Sequence, residues 1–179
     1  MHGMKRAILV CVAASAICGC GKGEKRIFEI DSAEEITWFS GEDPRMQAAI
    51  AKAQKEFSVF QEELTLESRR ILPAMEQCLI KYAFPATKNG VEAEHMFLSD
   101  LYWNGTNIVG VLASEPMYTD SVQEGQEVIV DPSRVSDWLY IINGETHGGF
   151  TFKKMWETFS SEEKDAYRDQ PPFVWLNLD

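Results

Sequence analysis

The chain of 179 residues carries 28 acidic and 17 basic residues, which gives a formal net charge of −11 at pH 7. An acidic surface repels nucleic acid and anionic lipid headgroups, so we expect no nucleic-acid partner. A chain of this length buries about 70% of its unfolded surface, which is enough for one domain with one core.

The N-terminus has the composition of an export signal. A basic pair precedes the apolar run AILVCVAASAI, which is too short for a transmembrane helix. The next residues, ICGC, resemble a bacterial lipobox ending at Cys20, the cysteine that would be acylated. We therefore expect a lipoprotein signal peptide at 1–19, a lipid such as palmitate on Cys20, and a tether at 20–42. An ordinary secretory signal or an uncleaved anchor is the alternative.

Acylation at Cys20 would place the protein in the cell envelope. Loss of Lys5 and Arg6 with the signal would lower the formal charge from −11 by 2, to −13. We therefore expect the acyl chains, and not surface charge, to hold the protein to its membrane. Gly21 is not the aspartate that retains some lipoproteins in the inner membrane, so the expected location is the outer membrane or the cell surface.

A helical pattern follows the tether. Asp43 before Pro44 is a good N-cap and first-turn pair. Apolar residues then recur at spacings of three and four, at Met46, Ala49, Ile50, Ala53, Phe57, Phe60 and Leu64. This stripe predicts one long amphipathic N-terminal helix that packs on a sheet.

The pattern then changes to strands. Five segments have strand composition or alternate with a period of two: EQCLIKYAF, VEAEHMFLSDLYW, NIVGVLAS, QEVIVD and VSDWLYII. Asn104-Gly105 and Asn143-Gly144 are dipeptides that favour hairpin turns. Sequential strands with hairpin signals predict a curved antiparallel sheet of about five strands.

The C-terminal part reads as helical. TFKKMWETF follows Gly148-Gly149, and Ser160 and Glu163 have the spacing of a capping box. The prediction is a single α+β domain over 43–179, in which the long N-terminal helix and the C-terminal helices pack on the sheet. We find no Walker-type or dinucleotide loop, so no cofactor is expected.

The segment SDWLYIINGETHGGFTF brings several potentially functional residues into one short stretch: an Asp, a Trp, a His, a Gly-Gly pair and a Thr. It can be interpreted structurally, as a strand with Trp138 on its aromatic face, a turn, and glycines where the backbone needs them. It can also be interpreted as a binding site. Gly148 and Gly149 ahead of a helix would expose N–H groups to a carboxylate or phosphate, with His147 beside them.

A catalytic or metal site is the further alternative. His95, Asp137 and His147 lie on predicted strands that can bring them together as a hydrolase, small-ligand or metal site. The sequence contains no H-E-x-x-H, C-x-x-C or G-x-S-x-G motif. No metal site and no particular catalytic residue is therefore predicted.

The order EHMFLSDLYW, GVLASEP and VSDWLYIINGETHGGFTF resembles the DUF2314, or YegJ-like, family of bacterial proteins, over roughly 43–159. The resemblance implies no particular reaction. It does give weight to certain residues as candidate binding residues: Glu94, His95, Asp137, Trp138, Gly148, Gly149 and Thr151, beside His147.

Taken together, these patterns predict a membrane-anchored envelope lipoprotein that binds another envelope protein and is not an enzyme. The alternative is a hydrolase or a small-ligand or metal binder that uses His95, Asp137 and His147. A purely structural lipoprotein is the third possibility.

Overall fold

The computed structural model describes residues 8–9, 43–88 and 90–178. Cys20 and the tether at 20–42 lie outside the described residues, and the predicted signal peptide is described only at Ile8–Leu9. In chain order the elements are β1 Ile8–Leu9, α1 Pro44–Lys55, α2 Phe57–Glu67, β2 Met75–Pro85, β3 Ala93–Trp103, β4 Ile108–Leu112, β5 Glu127–Ile129, β6 Val135–Ile142, β7 Glu145–Gly148, α3 Phe150–Thr158 and α4 Ser161–Tyr167, with 3-10 helices at Pro132–Arg134 and Phe173–Trp175.

The strands form one open sheet in the order β5-β4-β3-β2-β6-β7, and every neighbour along this path is antiparallel. β1 pairs with β3 in parallel, off this path. The predicted α+β class and antiparallel sheet are confirmed. The path has one strand more than the five predicted, because β7 follows the Asn143-Gly144 turn and its ETHG sequence lacks an alternating apolar pattern.

The N-terminal helix is not one long helix, which corrects the prediction. Asp43 caps α1 and Pro44 follows it, as expected, but the helix ends at Lys55 and α2 begins at Phe57. The indole N–H of Trp138 donates to Ala53 O at 2.8 Å. In an unbroken helix that carbonyl would accept from the N–H four residues later. The helix therefore breaks between Lys55 and Phe57, because the Trp138 side chain of β6 uses a carbonyl group that an unbroken helix needs.

Both faces of the sheet are covered by helices. On the side that we call the α2 face, helix residues pack on one set of strand residues: Ala53, Phe57, Phe60 and Leu64 against Ile80, Tyr82, Met96, Leu98, Trp138 and Tyr140. On the other side, the α3 face, a second cluster joins Phe152, Met155 and Trp156 to Leu79, Phe97 and Leu139. The side chains of successive residues in a strand point to opposite faces of the sheet. Trp138 and Tyr140 of β6 therefore belong to the first cluster, and Leu139 between them belongs to the second.

The C-terminal helices form where the sequence predicted them. α3 begins directly after Gly148-Gly149. α4 has the full capping box, in which the Ser160 hydroxyl accepts from Glu163 N–H and the Glu163 carboxylate accepts from Ser160 N–H. These helices close the α3 face of the sheet.

A bulge in β6 shapes the middle of the sheet. Lys81 of β2 pairs with Asp137, while the next residue, Tyr82, pairs with Val135. Ser136 is therefore an extra residue on β6, as in a β-bulge. The bulge sets Ser136 and Asp137 together opposite Lys81, and these three residues form the centre of a polar cluster.

Candidate functional site

The centre of the candidate site is the carboxylate of Asp137, which is fully buried on β6. It accepts four hydrogen bonds: from Trp138 N at 2.8 Å, Phe150 N at 3.1 Å, Thr151 N at 2.7 Å and Thr151 Oγ1 at 2.6 Å. The N-cap of α3 is Gly149, which has no side chain to cap the helix. Asp137 therefore satisfies the first two N–H groups of α3, those of Phe150 and Thr151, from a neighbouring strand.

This geometry corrects the expectation of a free anion site at Gly148-Gly149. Phe150 N–H and Thr151 N–H point at Asp137, and Gly149 N–H donates to Trp138 O at 2.8 Å. The helix N-terminus does hold a carboxylate, as the sequence suggested, but the carboxylate belongs to the protein itself.

Gly148 and Gly149 are both required by the backbone. Their φ values are +85° and +70°, in the left-handed region that favours glycine. A Cβ at Gly148 would lie 2.1 Å from Trp138 O, and a Cβ at Gly149 would lie 2.4 Å from a methyl group of Leu176. The chain therefore needs Gly148 to pass Trp138, and Gly149 to begin α3 beside Leu176.

Lys81 is the member of this cluster that the sequence analysis missed. It pairs with Asp137 across β2 and β6 and is only 1% exposed. Its Nζ lies 3.4 Å from Thr151 Oγ1 and 4.8 Å above the ring of Phe152. Burial raises the pKa of Asp137, while the hydrogen bond from Thr151 and the charge of Lys81 oppose that rise. The two buried charges compensate each other, so removal of either leaves the other unbalanced.

His95 joins the cluster through Ser136. Its Nδ1 lies 2.9 Å from Ser136 Oγ, and Ser136 Oγ in turn donates to Lys81 O at 3.1 Å. Because that bond uses the only hydroxyl proton, His95 Nδ1–H is the donor to Ser136 and the Nε2 atom carries no proton. Burial, assisted by the charge of Lys81, lowers the pKa of His95 to about 3. The imidazole is therefore neutral at physiological pH.

This arrangement is not that of an activated serine. A general base must accept the proton of the nucleophile, but here the Ser136 hydroxyl is directed at a backbone carbonyl and His95 is the donor. Ser136 is also 2% exposed. The cluster joins β2, β3, β6 and α3 and presents no nucleophile to a substrate.

His147 lies away from His95 and Asp137. Its ring stacks on Tyr140 with 4.7 Å between ring centroids, and Tyr140 belongs to the α2 face. His95 and Asp137 instead make their contacts with Ser136 and with the start of α3. The structure thus does not assemble the predicted site of His95, Asp137 and His147. Trp138 also lies on the α2 face, with Phe60 and Tyr140.

Glu94 organises a different part of the molecule. Its buried carboxylate accepts hydrogen bonds from Met117 N at 2.8 Å, Tyr118 N at 2.8 Å and Thr119 N at 3.1 Å. Glu94 therefore fixes the segment after β4 against β3, much as Asp137 fixes α3 against β6.

Of the eight candidate residues, five meet at the start of α3, namely Asp137, Trp138, Gly148, Gly149 and Thr151. His95 reaches them through Ser136. Glu94 and His147 make separate contacts. Among the described residues, no group of three His, Cys, Asp or Glu side chains is placed to hold a metal ion.

A surface feature that the sequence analysis did not find lies between α2 and β2. Ile71 is 98% exposed and Leu72 is 81% exposed, and Pro73 beside them is also exposed. We call Ile71–Pro73 the apolar loop tip. It is separated from the end of α2 by residues 68–70 and belongs to no periodic pattern, so periodicity gives no signal for it.

The apolar loop tip is held by Glu67. The Glu67 carboxylate accepts from Ala74 N at 2.9 Å and Met75 N at 3.2 Å, and it forms an ion pair with Arg70, which also pairs with Glu63. Burial alone would raise the pKa of Glu67, but the hydrogen bonds from Arg70, Met75 and Ala74 together lower it. The loop is therefore closed by one carboxylate at its base.

These features define the class of the protein: an α+β domain with an open antiparallel sheet whose buried carboxylates fasten a helix and a loop. Residues 43–173 match the family model described as an uncharacterized protein conserved in bacteria, DUF2314, so the chain belongs to this family. The resemblance seen in the sequence is thereby confirmed.

Two curated relatives are similar to this chain. One, from Neisseria meningitidis serogroup B, is named for predicted ankyrin repeats and is 33% identical over 146 residues, 81% of this chain. The other is the protein YegJ of Escherichia coli K12, 31% identical over 84 residues, 47% of this chain. In each case the match covers 54% of the relative, so the chain spans about half their length. No solved structure matches.

No helix in the part of the chain that the structure describes is long and apolar enough to cross a membrane.

Proposed function

We propose that the chain is an envelope lipoprotein, anchored by a lipid on Cys20, whose folded domain binds another envelope protein and is not an enzyme. The proposed contact surface is the apolar loop tip, Ile71–Pro73. The proposed location is the outer membrane or the cell surface, as the lipobox-like sequence and Gly21 suggest.

The observation that carries the binding proposal is the exposure of Ile71 and Leu72. Burying a side chain of this kind stabilises a protein by about 1.5–3 kcal/mol relative to leaving it exposed. The domain leaves two such side chains almost wholly in water while its core is otherwise well covered. A partner that covers the tip would recover this free energy.

The base of the loop supports the same proposal. Glu67 fixes the chain on both sides of the tip through Arg70, Ala74 and Met75. A contact surface that is already ordered loses less conformational entropy on binding than a flexible one. The exposed Arg69 lies two residues before Ile71 and adds a residue type that is enriched at interfaces.

The polar cluster favours binding over catalysis. Asp137, Ser136 and Thr151 are buried and hydrogen-bonded to the protein itself, so they offer no group to a substrate. The relative from Neisseria meningitidis is named for ankyrin repeats, a class whose stacked units form binding surfaces. That name adds weight to an interaction role.

The binding proposal is tested by capture from detergent-solubilised envelopes, with the lipoprotein as bait and mass spectrometry as readout. The variant Ile71→Asp/Leu72→Asp should capture at least tenfold less of the partner than wild type does. The matched control is Ile129→Asp, an aliphatic residue on β5 that is 63% exposed, and it should capture as wild type does. Recovery of the same proteins at the same yield by wild type and the loop variant would refute the proposal.

The lipid anchor has its own test. Cys20→Ala should abolish incorporation of labelled palmitate and move the protein out of the carbonate-washed membrane fraction. Cys78→Ala is the control, because Cys78 belongs to the folded domain and should leave both readouts unchanged. Unaltered fractionation of Cys20→Ala would show that the anchor is elsewhere or absent.

A further inference from the structure

The two edges of β3 are used differently along its length. On one edge, β2 pairs with Ala93–Leu98. On the other edge, β4 pairs with Leu98–Trp103, and Ala113 N–H extends that pairing to Phe97 O. Next to this, at Glu94 and His95, the partner is the short strand β1 in parallel orientation. On this edge, the segment Ala93–Met96 therefore pairs with no other strand of the described residues.

The strand seated on this edge comes from the predicted signal peptide. Ile8 pairs with Glu94 and Leu9 pairs with His95. If residues 1–19 are removed, as the proposed function requires, the backbone N–H and C=O groups of this edge lose that partner. Unpaired edge groups are a template for another strand.

We propose that Ala93–Met96 is a strand-addition site. In the full chain Ile8–Leu9 occupies it, and in the processed lipoprotein it accepts an extended apolar segment of a partner protein, parallel to β3. This inference rests on the proposed function, since it names how a partner segment is bound once the signal is gone. Main-chain hydrogen bonds supply affinity in this mode of recognition.

The edge is ordered before any partner arrives. β2 holds its other side. The Glu94 carboxylate is fixed by the amides of 117–119, and His95 Nδ1 is fixed by Ser136. The side chains of the successive residues Glu94 and His95 are thus held by hydrogen bonds on opposite faces of the sheet. An incoming strand meets a preformed edge and need not order it, which reduces the entropy cost of binding.

The test uses the full chain and a defined probe. The double variant Ile8→Pro/Leu9→Pro removes the N–H groups of β1 and so vacates the edge. The probe is a fluorescein-labelled peptide with the sequence of residues 5–13, followed by fluorescence anisotropy. We expect it to bind the proline variant at least tenfold more tightly than the wild-type full chain, whose own β1 competes at high effective concentration. The same peptide N-methylated at its Ile and Leu should not bind.

Hydrogen exchange locates the bound probe. The peptide should slow amide exchange in residues 93–97 and leave the outer strand β5, Glu127–Ile129, unchanged. Equal affinity for the two chains, no binding to the proline variant, or protection at β5 in place of β3 would overturn the inference. The experiment does not depend on lipidation, so failure of Cys20 to anchor the protein would count against the proposed function alone.

Discussion

Thr151 donates two hydrogen bonds to the same carboxylate oxygen of Asp137, one from its backbone N–H at 2.7 Å and one from its hydroxyl at 2.6 Å. This contact joins β6 to the first turn of α3, with Lys81 beside both residues. A helix that lacks a side-chain cap of its own is thereby fastened to the sheet by a buried acid. Several residues that the sequence suggested as binding residues therefore hold α3 on the sheet: Asp137, Gly148, Gly149 and Thr151.

Replacement of Asp137 by Asn should strongly destabilise the domain. The amide keeps the size of the carboxyl group but removes the charge that balances Lys81 and part of the capacity to accept hydrogen bonds. Breaking a buried pair of this kind costs about 3–5 kcal/mol. Urea denaturation at pH 7 measures the loss. Asp165→Asn, at an exposed position of α4, should stay within about 0.5 kcal/mol of wild type. A similarly small effect for Asp137→Asn would contradict the structural role.

The two glycines with positive φ at 144 and 148 offer a matched comparison. Gly144 has φ +74° and open space around it, while Gly148 has φ +85° and the carbonyl of Trp138 within 2.1 Å of an added Cβ. Gly144→Ala should cost about 1 kcal/mol, because only the backbone is strained. Gly148→Ala should cost about 3 kcal/mol or more, because the chain must also move away from Trp138. Thermal unfolding of both variants checks this, and equal melting temperatures would show that the close approach is unimportant.

His95 should make the stability of the domain depend on pH. Its pKa is about 3 in the folded chain against 6.5 ordinarily, so below about pH 6.5 the unfolded chain binds a proton that the folded chain does not. The stabilising effect of this difference is complete above pH 6.5 and is lost as the pH falls toward 3. The free energy of unfolding should drop by up to about 1.4 kcal/mol per pH unit from this group.

The comparison that isolates His95 is the difference between wild type and His95→Asn. The asparagine amide still donates toward Ser136 but does not titrate. Asp137, whose raised pKa acts in the opposite sense, is present in both chains and cancels. Parallel stability curves for the two chains between pH 7 and pH 4.5 would contradict the low pKa.

Glu67 should control the order of the apolar loop tip. Glu67→Ala removes the acceptor for Ala74 and Met75 N–H and one partner of Arg70, so exchange of those two amides should speed up at least tenfold. Capture of the partner should weaken with it, while global stability should fall by only about 1–2 kcal/mol. Glu62→Ala, an exposed residue on the same helix, is the control. Unchanged exchange at Ala74 and Met75 would show that Glu67 does not hold the loop.

The helices and strands with a clear hydrophobic period could be predicted from the sequence. The α3 start, the α4 capping box and the Asn143-Gly144 turn are local features, and the structure confirms the turn with positive φ at both residues. The break between α1 and α2 could not be predicted, because it depends on the Trp138 indole reaching Ala53 O from a distant strand.

The candidate site was predictable only in part. Asp137, Gly148, Gly149 and Thr151 lie close together in the sequence and also in the structure. Lys81 was missed because its partner is 56 residues away and becomes its neighbour only through strand pairing. The separation of His147 from His95 depends on which face each strand presents, and a sequence with apolar residues on both faces does not reveal that.

The most direct test of the central claim is photo-crosslinking in the living cell from position 71. A photoreactive amino acid in place of Ile71, in the full-length lipoprotein, should give a discrete crosslinked adduct with another protein. The same amino acid in place of Ile129 on β5 should not give that adduct. We expect the adduct from position 71 alone. No protein adduct from position 71, or the same adducts from both positions, would contradict it.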